Sequence, residues 1–157
     1  MSKDSKKELI EELIHLSRAE EAANDAFDEI AGRRLGINRT DMRCLDIVQN
    51  QGPMTAGRLA ELSGLTTAAV TSVLDRLEEV GYARRARSED DRRQVIVELT
   101  PLLVERAARI WGPLAEEGTA QLRRMSVQQL ESVIQYFRRA RELQERHVER
   151  VRKLALD

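Results

Sequence analysis

Residues 55–100 read TAGRLAELSGLTTAAVTSVLDRLEEVGYARRARSEDDRRQVIVELT, and this stretch decides the fold. Thr55 is an N-cap for a short helix to Leu62, and Ser63-Gly64 supplies a tight turn. Thr66 caps a second helix that carries Val70, Val73, Leu74 and Leu77 on one face, with Gly81 just past its end. Its opposite face shows Thr67, Ala68, Thr71 and Ser72, small groups that bear hydroxyls or methyls. Such a face lets a helix approach base edges closely in a DNA major groove, and a hydroxyl pairs with either base type. The alternative for that face is an ordinary solvated helix surface.

Two strands are expected next, Tyr82 to Ala86 and Gln94 to Leu99. In the second, Val95, Val97 and Leu99 alternate with Gln94, Ile96 and Glu98. The connection RSEDDRR is too charged to be buried, and Arg84, Arg85, Arg87, Arg92 and Arg93 outnumber Glu89, Asp90 and Asp91. A charge run is usually a solvated loop. A basic hairpin directly after two helices around a tight turn has a second use, because it can reach the minor groove beside a helix seated in the major groove.

Outward from this centre the chain is helical. Residues 5–31 carry Leu9, Leu13, Leu16, Ala23, Phe27 and Ile30 at helical spacing, with Ile10 and Ile14 widening the stripe. Gly32 and Gly36 are expected to mark its end. Asn38 or Thr40 can cap a helix to about Asn50 that buries Met42, Leu45, Ile47 and Val48, and Gly52-Pro53 stops it. Thr100-Pro101 opens a helix with Leu103, Ala107, Ile110, Leu114 and Leu122, which Gly112-Pro113 is expected to kink or break. Ser126 with Gln129 forms a capping box for a last helix to about Leu154. Its apolar side holds Leu130, Val133, Ile134, Phe137, Ala140, Val148 and Val151.

Composition narrows the class. Of 157 residues, 41% are hydrophobic and only 3% aromatic, which suits packed aliphatic helices better than a β-sandwich. No apolar run approaches the roughly 18 residues of a membrane span, and MSKDSKKELIEE has no signal-peptide core, which points to a cytoplasmic protein without membrane partners. Cys44 is the single cysteine, so an internal disulfide is excluded. A net charge of -1 argues against a non-specific nucleic-acid coat but not against a sequence reader, for which local clustering matters. The basic residues are almost all arginine, a bias that fits DNA contact and fits a high-GC genome equally.

An enzyme is not expected. His15 and His147 are far apart in sequence, and Cys44 has no nearby His to activate it. There is no Cys/His metal spacing and no Gly-rich phosphate loop, so neither a metal nor a cofactor is implied.

Two segments carry a family resemblance. VTSVLDRLEEVGYARR, residues 70–85, resembles the Val-Thr…Asp-Arg-Leu-Glu…Gly run of the multiple-antibiotic-resistance regulator (MarR) family. DDRRQVIVELTP, residues 90–101, is similar to that family's wing, an Asp-x-Arg followed by an apolar strand and Leu-Thr-Pro. The resemblance implies a mainly α fold with a small β-hairpin wing over residues 1–157. A winged helix-turn-helix lobe would span 38–100, and a helical dimerisation region 5–31 and 101–154. It implies a transcriptional regulator that binds double-stranded DNA as a homodimer, a ligand-responsive repressor on a pseudo-palindromic operator.

By the same resemblance Thr66, Thr67, Ala68, Thr71 and Ser72 face the major groove, and Arg76 contacts phosphate. Arg93 enters the minor groove, Arg92 sits near phosphate, and Asp91 orients the wing by pairing with an arginine. Ala68, Ala69 and Ser72 depart from frequent family usage, which bears on the operator sequence. A cleft for a phenolic or other lipophilic anion is also implied, with His15, Arg43 and Trp111 as lining candidates. On the residues alone these read as a helix-face residue, a surface charge and a core side chain. Two other readings remain: Cys44 as an oxidation sensor, and a winged-helix interaction module that does not bind DNA. The effector, the operator and the regulated genes are not legible in the sequence.

Overall fold

The computed structural model of the chain describes residues 3–88 and 94–155. In chain order the elements are α1 (Lys3–Leu35), α2 (Arg39–Gln51), β1 (Met54–Thr55), α3 (Ala56–Ser63) and α4 (Thr67–Glu79). They are followed by β2 (Ala83–Arg87), β3 (Val95–Leu99), α5 (Pro101–Leu122) and α6 (Val127–Arg152). The chain divides into two compact units, Met1–Ile110 and Trp111–Asp157.

In the first unit the core forms where α2, α3 and α4 turn their apolar stripes inward. Val70, Val73, Leu74 and Leu77 of α4 are at most 1% exposed, each stabilising the fold by about 1.5–3 kcal/mol relative to an exposed side chain. Thr55 and Thr66 cap α3 and α4 as their positions require, their hydroxyls accepting from the amides of Arg58 and Ala69. Gly64 takes the left-handed conformation between the two helices, φ 68°, which a β-carbon would penalise. In α2 the cap is Asn38, and a reciprocal capping box forms with Asp41. Met42, Cys44, Leu45 and Val48 are its buried apolar residues and Asp41 its buried acid, whereas Ile47 is only half-buried.

The sheet has three strands, not the two of a bare hairpin. β1 adds to the outer edge of β3, giving the order β1-β3-β2 with both pairings antiparallel. Pairing places Arg85 opposite Val97, and Arg84 opposite Glu98. Alternation therefore puts Arg85 on the face of the buried Val97 and Arg84 on the other, where it pairs with Glu98 at 2.7 Å. Val95 shares the inner face but is 53% exposed, so the expected in-out alternation of β3 holds only at its middle.

Neither Gly32 nor Pro113 breaks its helix. α1 runs through Gly32 and stops at Leu35, with Gly36 at φ 73° and the Ile37 amide bonded back to the Gly32 carbonyl. A β-carbon on Gly32 would lie 3.1 Å from the Ile37 carbonyl oxygen and 3.2 Å from Met42 Cε. This glycine permits close approach of α1 to α2 and does not end the helix. α5 stays one helix across Pro113. Proline there removes one ladder bond, and the preceding Gly112 has no β-carbon to meet the ring.

Tyr82 ties the start of β2 to two helices. Its ring is fully buried, and its hydroxyl donates to the Leu35 carbonyl at 3.0 Å while accepting from Arg106 Nη1 at 2.7 Å. A carbonyl left over at the end of α1 is thereby satisfied. Among the described residues no buried side-chain nitrogen or oxygen lacks a partner.

In the second unit, α6 begins at a capping box formed by Ser126 and Gln129. Ile134, Phe137, Val148 and Val151 leave it with exposed apolar side chains along one face. In the first unit α1 does the same through Leu9, Ile10, Leu13, Ile14 and Leu16.

Candidate nucleic-acid interface

The face of α4 opposite its buried stripe is open to solvent: Thr66, Thr67, Ala68, Thr71 and Ser72 are all exposed. The Thr71 hydroxyl donates to the Thr67 carbonyl at 3.0 Å, and that of Ser72 to the Ala68 carbonyl at 3.2 Å. Both protons are thus turned into the helix, leaving oxygen lone pairs outward. None of these five side chains is bulkier than threonine, so at this end of α4 backbone and groove floor can come close.

Further along α4, Arg76 is not a free cation. Its Nη2 donates to Asp41 Oδ1 at 2.5 Å and its Nε to Oδ2 at 3.3 Å. Asp41 is 2% exposed and also accepts from the Asn38 amide at 3.3 Å. This hydrogen bond and charge pairing holds Arg76 more firmly protonated than an arginine in water. α4 is therefore tied to the first turn of α2 by a two-pronged ion pair, buried at the carboxylate and half-exposed at the guanidinium. Sequence reasoning missed this because the partners lie 35 positions apart. The one local signal was the Asn38-x-x-Asp41 box.

Arg85 holds the other flank. Its Nη2 donates to Asp75 Oδ1 at 2.8 Å, its Nη1 pairs with Glu78 Oε2, and its backbone amide donates to Glu78 Oε1 at 2.7 Å. The bond to Asp75, then the charges of Glu78 and Asp75, raise its pKa further. Read as one charge among five in the hairpin, Arg85 had no separate role in the sequence. The strand register and the i, i+3 spacing of Asp75 and Glu78 are the signal that singles it out. Past β2 and β3 the Ser88 amide still bonds to the Gln94 carbonyl, at 3.0 Å. Asp91, Arg92 and Arg93 lie outside the described residues.

Of the three ligand candidates, Arg43 alone lines the cleft of about 850 Å³ between α1 and α2. His15 is exposed on the N-terminal half of α1, and Trp111 is half-buried in the second unit. The cleft walls also carry Asp25, Asp28, Glu29, Asp46, Arg33 and Arg39. Arg33 pairs with Glu29 at 2.7 Å and Arg39 with Asp25 at 2.9 Å. Burial first, and the Asp28 charge second, push the Asp46 carboxyl above its ordinary value. Cys44 is 0% exposed, and burial first, then Asp41, push its thiol up. Little thiolate would then be present to meet an oxidant. No described helix is long and apolar enough to cross a membrane.

The MarR family profile matches residues 37–95, from the α1–α2 connection to the start of β3. Over 151 residues the chain is 30% identical to the uncharacterized HTH-type transcriptional regulator YcgE of Bacillus subtilis (strain 168), covering 96% of this chain and 98% of that protein. Among solved structures, the transcriptional regulator PA4135 superposes with a TM-score of 0.55 at 25% identity, over 83% of this chain and 95% of its own. The crystal structure of MarR has the same fold, with a TM-score of 0.55 at 20% identity over 85% of this chain and 98% of its own.

Proposed function

The chain belongs to the MarR family of DNA-binding transcriptional regulators, and on that premise we propose that it is a repressor. It binds a pseudo-palindromic operator as a homodimer and leaves it when a small ligand binds. The observation that carries this reading is the open, short-chained face of α4 standing beside an arginine-rich hairpin in the same unit.

Thr66, Thr67, Ala68, Thr71 and Ser72 enter the major groove. With their hydroxyl protons turned into the helix, Thr71 and Ser72 accept from the exocyclic amines of adenine or cytosine. The hairpin carries Arg93 into the minor groove, with Arg92 beside phosphate and Asp91 orienting the tip through an arginine. Arg76 approaches phosphate with the edge of its guanidinium that Asp41 leaves uncovered, at a charge that Asp41 largely offsets.

The exposed apolar faces of α1 and α6 support the dimer, since stripes of this length are covered in a soluble protein. Two copies of α4 then lie about one helical turn apart on DNA. Their occupancy of both grooves excludes other proteins from the same site, which is repression.

The cleft between α1 and α2 takes the effector. Arg33 and Arg39 are already paired, so Arg43 is the arginine on which an anion would rest. Asp28 and Asp46 on the same walls disfavour more than one negative charge, which supports a lipophilic monoanion such as a phenolate.

Salt titration of binding to a selected duplex and to a scrambled one tests the division of labour. Arg93→Ala is expected to weaken binding to both and to flatten the salt slope by about one phosphate equivalent. Thr71→Ala or Ser72→Ala is expected to change which bases are tolerated, at about 1–3 kcal/mol per lost base contact. An Arg93→Ala variant with unchanged affinities and slope would show that the hairpin does not touch DNA.

A further inference from the structure

We propose that Arg85 is a positioning residue for DNA binding, one that sets the angle between the hairpin and α4 by gripping Asp75 and Glu78. The inference rests on the reading that both α4 and the hairpin meet DNA. A helix in the major groove and a hairpin tip in the adjacent minor groove must arrive together. β1 flanks β3 only as far as Ile96, so the last described pair of the hairpin, Arg87 with Val95, is held by two strands alone, and two-stranded ribbons twist and bend easily. Something has to fix its base.

Three features assign that task to Arg85. It lies on the inner face of β2, opposite the buried Val97, and not on the outer face with Arg84. Its guanidinium spans two carboxylates one helical turn apart on α4, while its own amide bonds to Glu78. The grip therefore fixes both the strand backbone and the side chain against one helix. Its side chain is 30% exposed, less than the 69% of Arg84, so its planar fork is engaged by the protein and not held out for phosphate. Lysine gathers its three donors on one nitrogen and lacks the planar fork that spans both carboxylates here.

Charge offers a test whose sign separates positioning from electrostatics. Asp75→Asn with Glu78→Gln removes two negative charges from the side turned to DNA, which on electrostatics alone tightens binding. Loss of the grip loosens the hairpin and weakens it. Glu78→Gln keeps a side-chain oxygen that accepts from the Arg85 amide, so local backbone structure is retained. The double variant is compared with wild type on a duplex selected by the wild-type protein from a random pool. The same substitutions are also placed in a chain whose residues 88–94 are replaced by an Asn-Gly turn.

We expect the double variant to bind about tenfold more weakly in the full hairpin, and within about twofold of its parent in the shortened one. Arg85→Lys, which keeps the charge, is expected to follow the same pattern if the double variant folds poorly. Unchanged or tighter binding in the full hairpin would overturn the assignment. So would an equal loss in both backgrounds, since the effect would then not pass through the hairpin. If shortening the hairpin itself leaves affinity unchanged, the DNA-contacting role of the hairpin fails, and the positioning role with it.

Discussion

Arg76→Ala should destabilise the protein well beyond the cost of losing a surface charge. The substitution removes both donors that reach Asp41 from α4, at 2.5 and 3.3 Å, and leaves a carboxylate that is 2% exposed with the Asn38 amide. Breaking a fully buried pair costs about 3–5 kcal/mol, while an exposed pair is worth at most about 1 kcal/mol. Here the guanidinium side is 46% exposed, so water can follow into the vacated space and the expected loss is about 2 kcal/mol. For a chain of this length that is a fall in Tm of about 4–8 °C. Asp41→Asn should cost less, about 1 kcal/mol, because the amide oxygen still serves the capping box and the freed arginine hydrates.

The assay is urea unfolding followed by helical circular dichroism at one fixed protein concentration, with the double variant closing the cycle. A coupling energy near zero, or two single variants each within about 0.5 kcal/mol of wild type, would refute the claim that this pair holds α4 to α2.

Tyr82→Phe removes the hydroxyl shared by Leu35 and Arg106 and is expected to cost about 1–2 kcal/mol in the same assay; a neutral effect would mean that the junction is not under load. Cys44, buried and with its thiol pushed up, should be alkylated at pH 8 at least about a hundredfold more slowly in the native than in the urea-unfolded protein. Peroxide should leave DNA binding intact, and release that disappears in Cys44→Ser would support the redox reading instead. Phe137→Asp, on the exposed face of α6, should halve the mass seen by light scattering; an unchanged dimer would place the interface elsewhere.

Elements whose signals are local were legible in the sequence. Thr55, Gly64 and Thr66 punctuate α3 and α4, and Val70, Val73, Leu74 and Leu77 repeat at helical spacing, so propensity, capping and burial agree. β1 was not legible. Two residues, Met54 and Thr55, carry no alternation, and the strand exists only through its register with Val97 and Ile96. Gly32 looked like a stop because glycine often is one; its role as a contact surface depends on Ile37 and Met42 folding back onto it.

The interface divides along the same line. The small hydroxyl face of α4 is a pattern within one helix and could be read directly. The identities of the residues that hold α4 in place could not. Asp41 of α2 acts on Arg76 of α4 across 35 positions of sequence, and Arg85 becomes distinct from Arg84 only when the β2–β3 register decides which of them faces inward.

Selection of duplexes from a random-sequence pool by the wild-type protein, followed by sequencing, addresses the central claim most directly. A dimer that reads DNA through two copies of α4 should enrich an inverted repeat whose half-sites are centred about 10 base pairs apart. The flanks, where the hairpins reach the minor groove, should be rich in A and T. Enrichment of a single asymmetric half-site would contradict the paired geometry, and no enrichment at all would contradict sequence recognition by α4.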